Sequence, residues 1–215
     1  DRNSIPVKRT ALGRFKHEGA ETIIAPDRRL VVYMGDDEAF ECLYRFISRD
    51  KVNLTDRQAN ANLLDDGILY VARFESDGRL IWLPLIYGQS PLNADNGFNS
   101  QADVYKRQVY VNLTNNVERK ADQTDAANPR GPNPYGHIVE LKAPFGNHCA
   151  DTFEWNMLLL CDPTHKEAQP NKDVPASAMN CPDNAAFDHR GRLWIATDQG
   201  SKWHKSQSAD GFWAV

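Results

Sequence analysis

Short β-rich runs recur along this chain at a nearly constant interval, and that interval sets its fold class. The runs are Leu30–Met34, Leu69–Arg73, Val109–Leu113 and Leu193–Thr197. Their starts lie 39, 40 and 84 residues apart, the last being twice 42. Each run is rich in branched and aromatic residues, which suit a pleated, half-buried surface. A strand-built period near 40 residues predicts an all-β fold made of β-propeller blades. No long amphipathic helical pattern competes with it.

Turn chemistry agrees with this reading. Pro26-Asp27-Arg28-Arg29, Asp65-Asp66-Gly67, Ser76-Asp77-Gly78 and Asp188-His189-Arg190-Gly191 each stand just before a strand. Asp supplies local hydrogen bonds and Gly supplies positive φ, so these read as hairpin turns. A blade then begins as first strand, turn, second strand. His17–Ala25 with Leu30–Met34 is one case, and Asn184–Phe187 with Leu193–Thr197 is another. The run Val109–Leu113 breaks the rule. Asn99–Gln108 before it contains no Asp/Asn-x-Gly turn, and Lys106-Arg107-Gln108 makes a poor strand interior. The expectation is one partial propeller domain over 1–215, an incomplete set of blades, with a segment missing between 104 and 109. Asp103–Gln108 also resembles translated adaptor sequence from assembled environmental reading frames.

A chain of 215 residues is long enough to bury one substantial core. Its net charge of −4, without a Lys/Arg run, gives no electrostatic case for nucleic acid. No apolar run approaches the roughly 18 residues of a membrane span. The chain opens at Asp1 and closes in strand-like Gly211–Val215, which predicts that both ends continue in a longer protein. Cys42, Cys149, Cys161 and Cys181 have no CxxC spacing, which argues against structural zinc. They read either as free buried thiols or as one or two disulfides of an oxidising compartment.

Candidate chemistry begins at His17-Glu18-Gly19. An imidazole and a carboxylate side by side, followed by glycine, compactly present a metal ligand at a strand edge, with Gly19 allowing close approach. The plainer reading is a satisfied polar pair at a strand end. Asp183 and Asn184 hold the same place at another first strand. Inner propeller strands begin near the central channel, so both pairs are expected to converge at one end of it.

Six segments occur in a telling order: Asp1–Glu21, Tyr33–Phe46, Leu63–Phe74, Gly97–Asp103, Asn128–Ile138 and Cys181–Gly200. Together they resemble the PhoX-type secreted alkaline phosphatases. The resemblance implies a six-bladed propeller with iron and calcium clustered at the channel mouth. It implies phosphomonoester hydrolysis in the periplasm or outside a bacterial cell. Glu18 matches a metal-ligand carboxylate and Asp183 a second. His17 would donate to a ligand carboxylate, with Asn184, Asp36 and Asp37 as further candidates. Two family elements are absent. One is an upstream Cys-containing metal motif. The other is an Arg-Pro-Glu element, which supplies a phosphate arginine and a ligand carboxylate and belongs where Val104 and Val109 now join. The expectation is therefore a fragment with an incomplete site, inactive and marginally stable by itself. The complete protein would be a monomer acting on a small phosphate ester, with no nucleic-acid partner.

Two other readings stand beside it. Pro182-Asp183-Asn184 and Gly191–Trp194 would suit a calcium-dependent lactonase-type propeller hydrolase. A non-catalytic extracellular propeller binding module is the third. Several features have plain structural readings as well. Asp36-Asp37-Glu38 reads as a solvated turn as readily as a calcium site, and His137 reads as strand-start packing more readily than as a ligand. The tryptophans read as packing between blades. Asn115–Tyr135 and Pro163–Ala178 read as long polar loops that could border a site. Asn53-Leu54-Thr55 and Asn112-Leu113-Thr114 match the glycosylation pattern, which is common by chance.

Overall fold

The computed structural model describes residues 5–90, 92–96, 115–162, 176–177, 179–200 and 209–214. The run Val109–Leu113, the junction at 104–109, Gly97–Asp103, Trp203 and most of Pro163–Ala178 lie outside the described residues. Regular structure among the described residues is strand, with short 3-10 turns. The strands are β1 (His17–Ile24), β2 (Arg29–Asp36), β3 (Leu43–Lys51), β4 (Gly67–Phe74), β5 (Arg79–Pro84) and β6 (His137–Lys142). They continue with β7 (Thr152–Cys161), β8 (Ala176–Ser177), β9 (Pro182–Phe187), β10 (Leu193–Thr197) and β11 (Phe212–Ala214). The runs at Leu30, Leu69 and Leu193 form β2, β4 and β10, and the expected first strands form β1 and β9.

The chain divides into two compact units. The first comprises Asp1–Arg73, Ile81–Tyr110 and Ala143–Thr152. In it β1, β2, β3 and β4 pair antiparallel in that order. Cross-strand rows explain the sequence pattern. Val32, Phe46 and Leu69 face one another, as do Met34, Tyr44 and Val71, and all are buried on one side of the sheet. Val31 and Ile47 lie on the other side with Ala25 in a second cluster. Strands buried on both faces read as near-continuous apolar runs, as β2 to β4 do. β1 is different: it is exposed along almost its whole length.

The second unit comprises Phe74–Leu80, Val111–Lys142 and Phe153–Val215. β6 pairs antiparallel with β7, and β8 adds to β7 in parallel. A separate three-stranded sheet has β10 between β9 and β11. Leu159, Cys161, Met179 and Ile195 form the buried cluster of this unit.

One device recurs in the hairpins of both units. In the β1–β2 turn, Asp27 accepts the Arg29 backbone N–H at 3.0 Å and its Nε at 2.6 Å. In the β4–β5 turn, Asp77 does the same to Arg79 at 3.1 and 2.8 Å. In the β9–β10 turn, Asp188 accepts the Arg190 and Arg192 backbone N–H groups and Arg192 Nε. The Trp194 indole N–H, followed by these donors, holds the Asp188 carboxyl down to about 2. Asp65-Asp66-Gly67 departs from the expected hairpin. It ends a longer connection out of β3, in which Asp66 accepts Arg49 Nε at 2.6 Å. Gly67 is needed for space: a Cβ there would lie 2.3 Å from the Ile47 carbonyl oxygen.

The Asn115–Tyr135 loop is polar in sequence and partly exposed, yet several of its polar side chains are buried. Asn116, Arg119, Asn128 and Asn133 are all buried. Asn116 and Asn133 exchange backbone hydrogen bonds at 2.8 and 2.9 Å. The Asn116 and Asp125 side chains cap the N–H groups that follow them. His137 is completely buried beneath this loop, its Nδ1 accepting from Asn133 Nδ2 at 3.0 Å. Burial, with Arg130 and Arg119 nearby, pulls the imidazole down to about 4. His137 is thus a neutral packing residue, its ring proton on Nε2. All four cysteines are free thiols, with Cys42, Cys161 and Cys181 buried and Cys149 half-buried. Among the described residues no helix is long and apolar enough to cross a membrane.

Candidate functional site

The start of β1 is organised by a β-bulge. His17 pairs with Asp36 and Glu18 with Gly35, but the next pair is Glu21 with Tyr33. One extra residue is therefore absorbed between Glu18 and Glu21. Gly19 sits there at φ +66°, and a Cβ on it would meet nothing within 4 Å. The glycine is needed for a left-handed backbone angle, as in bulges of this kind, and not for close approach. Alternation along the paired rows puts His17 on the face that carries Met34 and Asp36. Glu18 lies on the opposite face, with Tyr33.

Backbone contacts fix this corner. Lys16 N–H donates to Asp36 Oδ1 at 3.2 Å, and Asp37 N–H donates to the Lys16 carbonyl at 2.8 Å. The Lys16 ammonium pairs with Glu38. Phe15 is stacked between His17 and Tyr44, with ring centroids 3.8 and 4.1 Å away. His17 Nε2 lies 3.4 Å from the Gly13 carbonyl. His17, Glu18, Asp36 and Asp37 are thus brought together at one end of the β1–β2 pair, split between the two sides of the ribbon.

A cleft of about 870 Å³ opens on the His17 face, between the segment Val7–Ala20 and the end of β2. Its lining carries the cations Lys8, Arg9, Arg14 and Lys16 and the carboxylates Asp36, Glu38 and Glu41. Arg9 is engaged by Asp65 and by the Ala61 carbonyl. Burial, then the neighbouring carboxylates, pushes Asp36 and Glu41 above the usual carboxylate range.

Asp183 and Asn184 lie in the second unit at the start of β9. Asn184 Nδ2 donates to Asp183 Oδ2 at 2.6 Å. The pair follows Cys181, which adopts φ +46°, and Pro182, which opens the strand opposite Thr197. Among the described residues no three His, Cys, Asp or Glu side chains converge closely enough to hold a metal ion.

Sequence reading missed Arg45. Its guanidinium is fully buried and donates to the His148 and Ala150 carbonyls at 2.9 and 2.7 Å. It packs on the rings of Tyr70 and Trp82. Beside it the Tyr33 hydroxyl meets His148 Nδ1 at 2.8 Å. The signal was present: an arginine inside the apolar run Leu43-Tyr44-Arg45-Phe46-Ile47 has to find buried partners.

Comparison with known proteins places this architecture. The family described as "Alkaline phosphatase PhoX" matches residues 1–108 and 104–212. A solved structure, "Pseudomonas fluorescens PhoX in complex with vanadate, a transition state analogue", is similar with a TM-score of 0.87 at 34% identity. The match covers 100% of this chain and 45% of that one, so this chain spans less than half the length of that relative. No curated protein sequence matches. The strand pairing and this likeness define an all-β chain of the β-propeller type. The chain belongs to the alkaline phosphatase PhoX family.

Proposed function

We propose that the protein carrying this chain is a metal-dependent phosphomonoester hydrolase of the PhoX type, acting on small phosphate esters in the periplasm or outside a bacterial cell. The observation that carries this is the 34% identity across the whole chain to a PhoX whose structure holds vanadate, a transition state analogue. Stabilising a phosphoryl transition state requires charge neutralisation around its oxygens. Calcium and iron are the proposed metals, since hard cations favour carboxylate oxygens. Glu18 and Asp183 are each proposed as a metal-ligand carboxylate. The Asn184 hydrogen bond to Asp183 would orient that carboxylate. Asp36, Asp37 and His17 are supporting candidates. The complete protein is proposed to be a monomer with no nucleic-acid partner.

A segment is proposed to be missing between 104 and 109. The family match supports this by falling into two blocks that meet at 104–108. The absent piece would carry the Arg-Pro-Glu element, so the 215-residue chain as it stands is expected to be inactive.

The test starts from the source DNA, read across the codons for Asn99 to Val111 and outward. The recovered protein is then assayed with p-nitrophenyl phosphate and with a sugar lactone, and its metals are measured. Phosphatase activity lost on chelation, with iron and calcium bound, is the expected result. Lactone turnover without iron, or no metal-dependent turnover of either substrate, overturns the reading. An uninterrupted natural join of Val104 to Val109 overturns the missing segment.

A further inference from the structure

We propose that His148 is an acid-sensitive latch: its neutral imidazole accepts the Tyr33 O–H at Nδ1 and holds Ala143–Thr152 on the sheet, and protonation of that nitrogen lets the segment go. Two contacts of one residue make the latch. His148 Nδ1 lies 2.8 Å from the Tyr33 hydroxyl of β2, and the His148 backbone carbonyl accepts Arg45 Nη1 of β3 at 2.9 Å. All three residues belong to the first unit. Arg45 is a permanent cation that can only donate. It acts on the Tyr33 hydroxyl through its charge and a hydrogen bond. With a donor on one side of the hydroxyl, the Tyr33 proton turns to His148 Nδ1, and the imidazole keeps its own proton on Nε2. A proton on Nδ1 would set donor against donor and place a second cation beside Arg45.

The surroundings favour the neutral ring. Tyr33, Tyr70 of β4, Cys149 and Asp151 all act on Arg45, while Cys149 also faces Asp27 and Arg29. The charge that acts on His148 itself is that of Arg45. Burial, then Arg45, holds the imidazole below the ordinary histidine range. Burial keeps the Tyr33 hydroxyl above the ordinary tyrosine range, so it remains a donor at neutral pH. When the segment lifts, His148 returns to roughly 6.5. Opening is therefore hardest above about pH 6.5 and becomes easier as pH falls towards the lower folded value. The latch uses none of the proposed metal residues.

Histidine 15N shifts of the 215-residue chain report tautomer and protonation directly. His148 is expected as the Nε2–H form, titrating below about 6.5. Hydrogen exchange, corrected for its intrinsic pH dependence, follows opening of Ala143–Thr152 against β2 in the same sample. That comparison separates local release from the loss of global stability caused by His137. Exchange in the segment should rise about tenfold relative to β2 between pH 7 and pH 5. His148→Gln, whose amide oxygen can still accept from Tyr33, should keep the protection at pH 7 and lose the acid rise. Tyr33→Phe should speed exchange at pH 7 and raise the pH at which His148 titrates. An Nδ1–H tautomer at neutral pH overturns the proposal. So does segment exchange that tracks β2 at every pH, or an undiminished acid rise in His148→Gln. The tautomer is read on the unaltered chain, so it decides the matter even where a variant does not fold.

Discussion

The guanidinium of Arg45 lies 4.5 Å from the ring centroid of Trp82, and both residues are buried. Tyr70 lies beside the same cation at 4.6 Å. Both carbonyls that Arg45 reaches belong to Ala143–Thr152, so one side chain ties that segment to the sheet. Buried cation–π contacts and hydrogen bonds from a charged donor each contribute on the order of 1–3 kcal/mol. Arg45→Ala should therefore lower unfolding free energy by about 3 kcal/mol, and Arg45→Lys by most of that, since a lysine has no planar fork. Urea denaturation measures the loss. Unchanged midpoints in both variants would count against this anchoring role.

His137 sets an acid limit on stability. Its folded-state value of about 4 lies below the roughly 6.5 of an unfolded histidine. Below pH 6.5 the unfolded chain takes up a proton that the folded chain refuses. The contribution is therefore fully present above about pH 6.5, declines as pH falls towards 4 and is then level, for a total near 3 kcal/mol. Urea titrations at pH 7, 5.5 and 4.5 should show this decline. A His137→Gln variant should show a shallower one.

Two glycines should respond in opposite ways to alanine. At Gly67 a Cβ would strike the Ile47 carbonyl oxygen at 2.3 Å and the Phe46 ring at 2.4 Å. Gly67→Ala should cost about 2–3 kcal/mol, because neither backbone nor packed ring can yield cheaply. At Gly19 there is space but a positive φ, so Gly19→Ala should cost only about 1 kcal/mol. Thermal or urea midpoints of the two variants check the ranking, and equal losses would contradict it.

The three-stranded sheet should make the isolated chain associate. Phe187 and Phe212 are 74% and 71% exposed, and β11 is an edge strand among the described residues. Trp194 stacks on Phe212 with centroids 5.0 Å apart, extending the exposed apolar surface. Exposed apolar faces beside an open strand edge favour self-association. Light scattering across a concentration series should show growing mass, reduced by Phe212→Lys. A constant monomer mass would rule this out.

Much of the fold was legible in local chemistry. The branched runs became β2, β4 and β10 because alternation and burial on two faces require such residues. The Asp turns were legible because Asp27, Asp77 and Asp188 bond within four residues of themselves. Buried polar groups were not legible. Arg45 finds partners more than 100 residues away, and Asn116 and Asn133 are buried within a segment whose composition looks solvated. Long-range pairing of this kind leaves only a local oddity in the sequence, such as a charge inside an apolar strand. The sides taken by His17 and Glu18 were hidden for a related reason, since a bulge cannot be read from residue types alone.

That bulge makes the position of a carboxylate a matter of parity. In an uninterrupted strand, residues three apart face opposite ways. Here Glu18 and Glu21 are three apart, yet their partners Gly35 and Tyr33 are two apart and share a side. Removing Ala20 should leave every pairing on either flank intact, because the strand would merely become regular. Removing Thr22 instead leaves four steps from Glu18 to Ile23 opposite the four from Gly35 to Val31, so His17 and Glu18 keep their sides and Glu21 exchanges its own. Where a carboxylate points on this edge is thus fixed by counting residues as well as by choosing them.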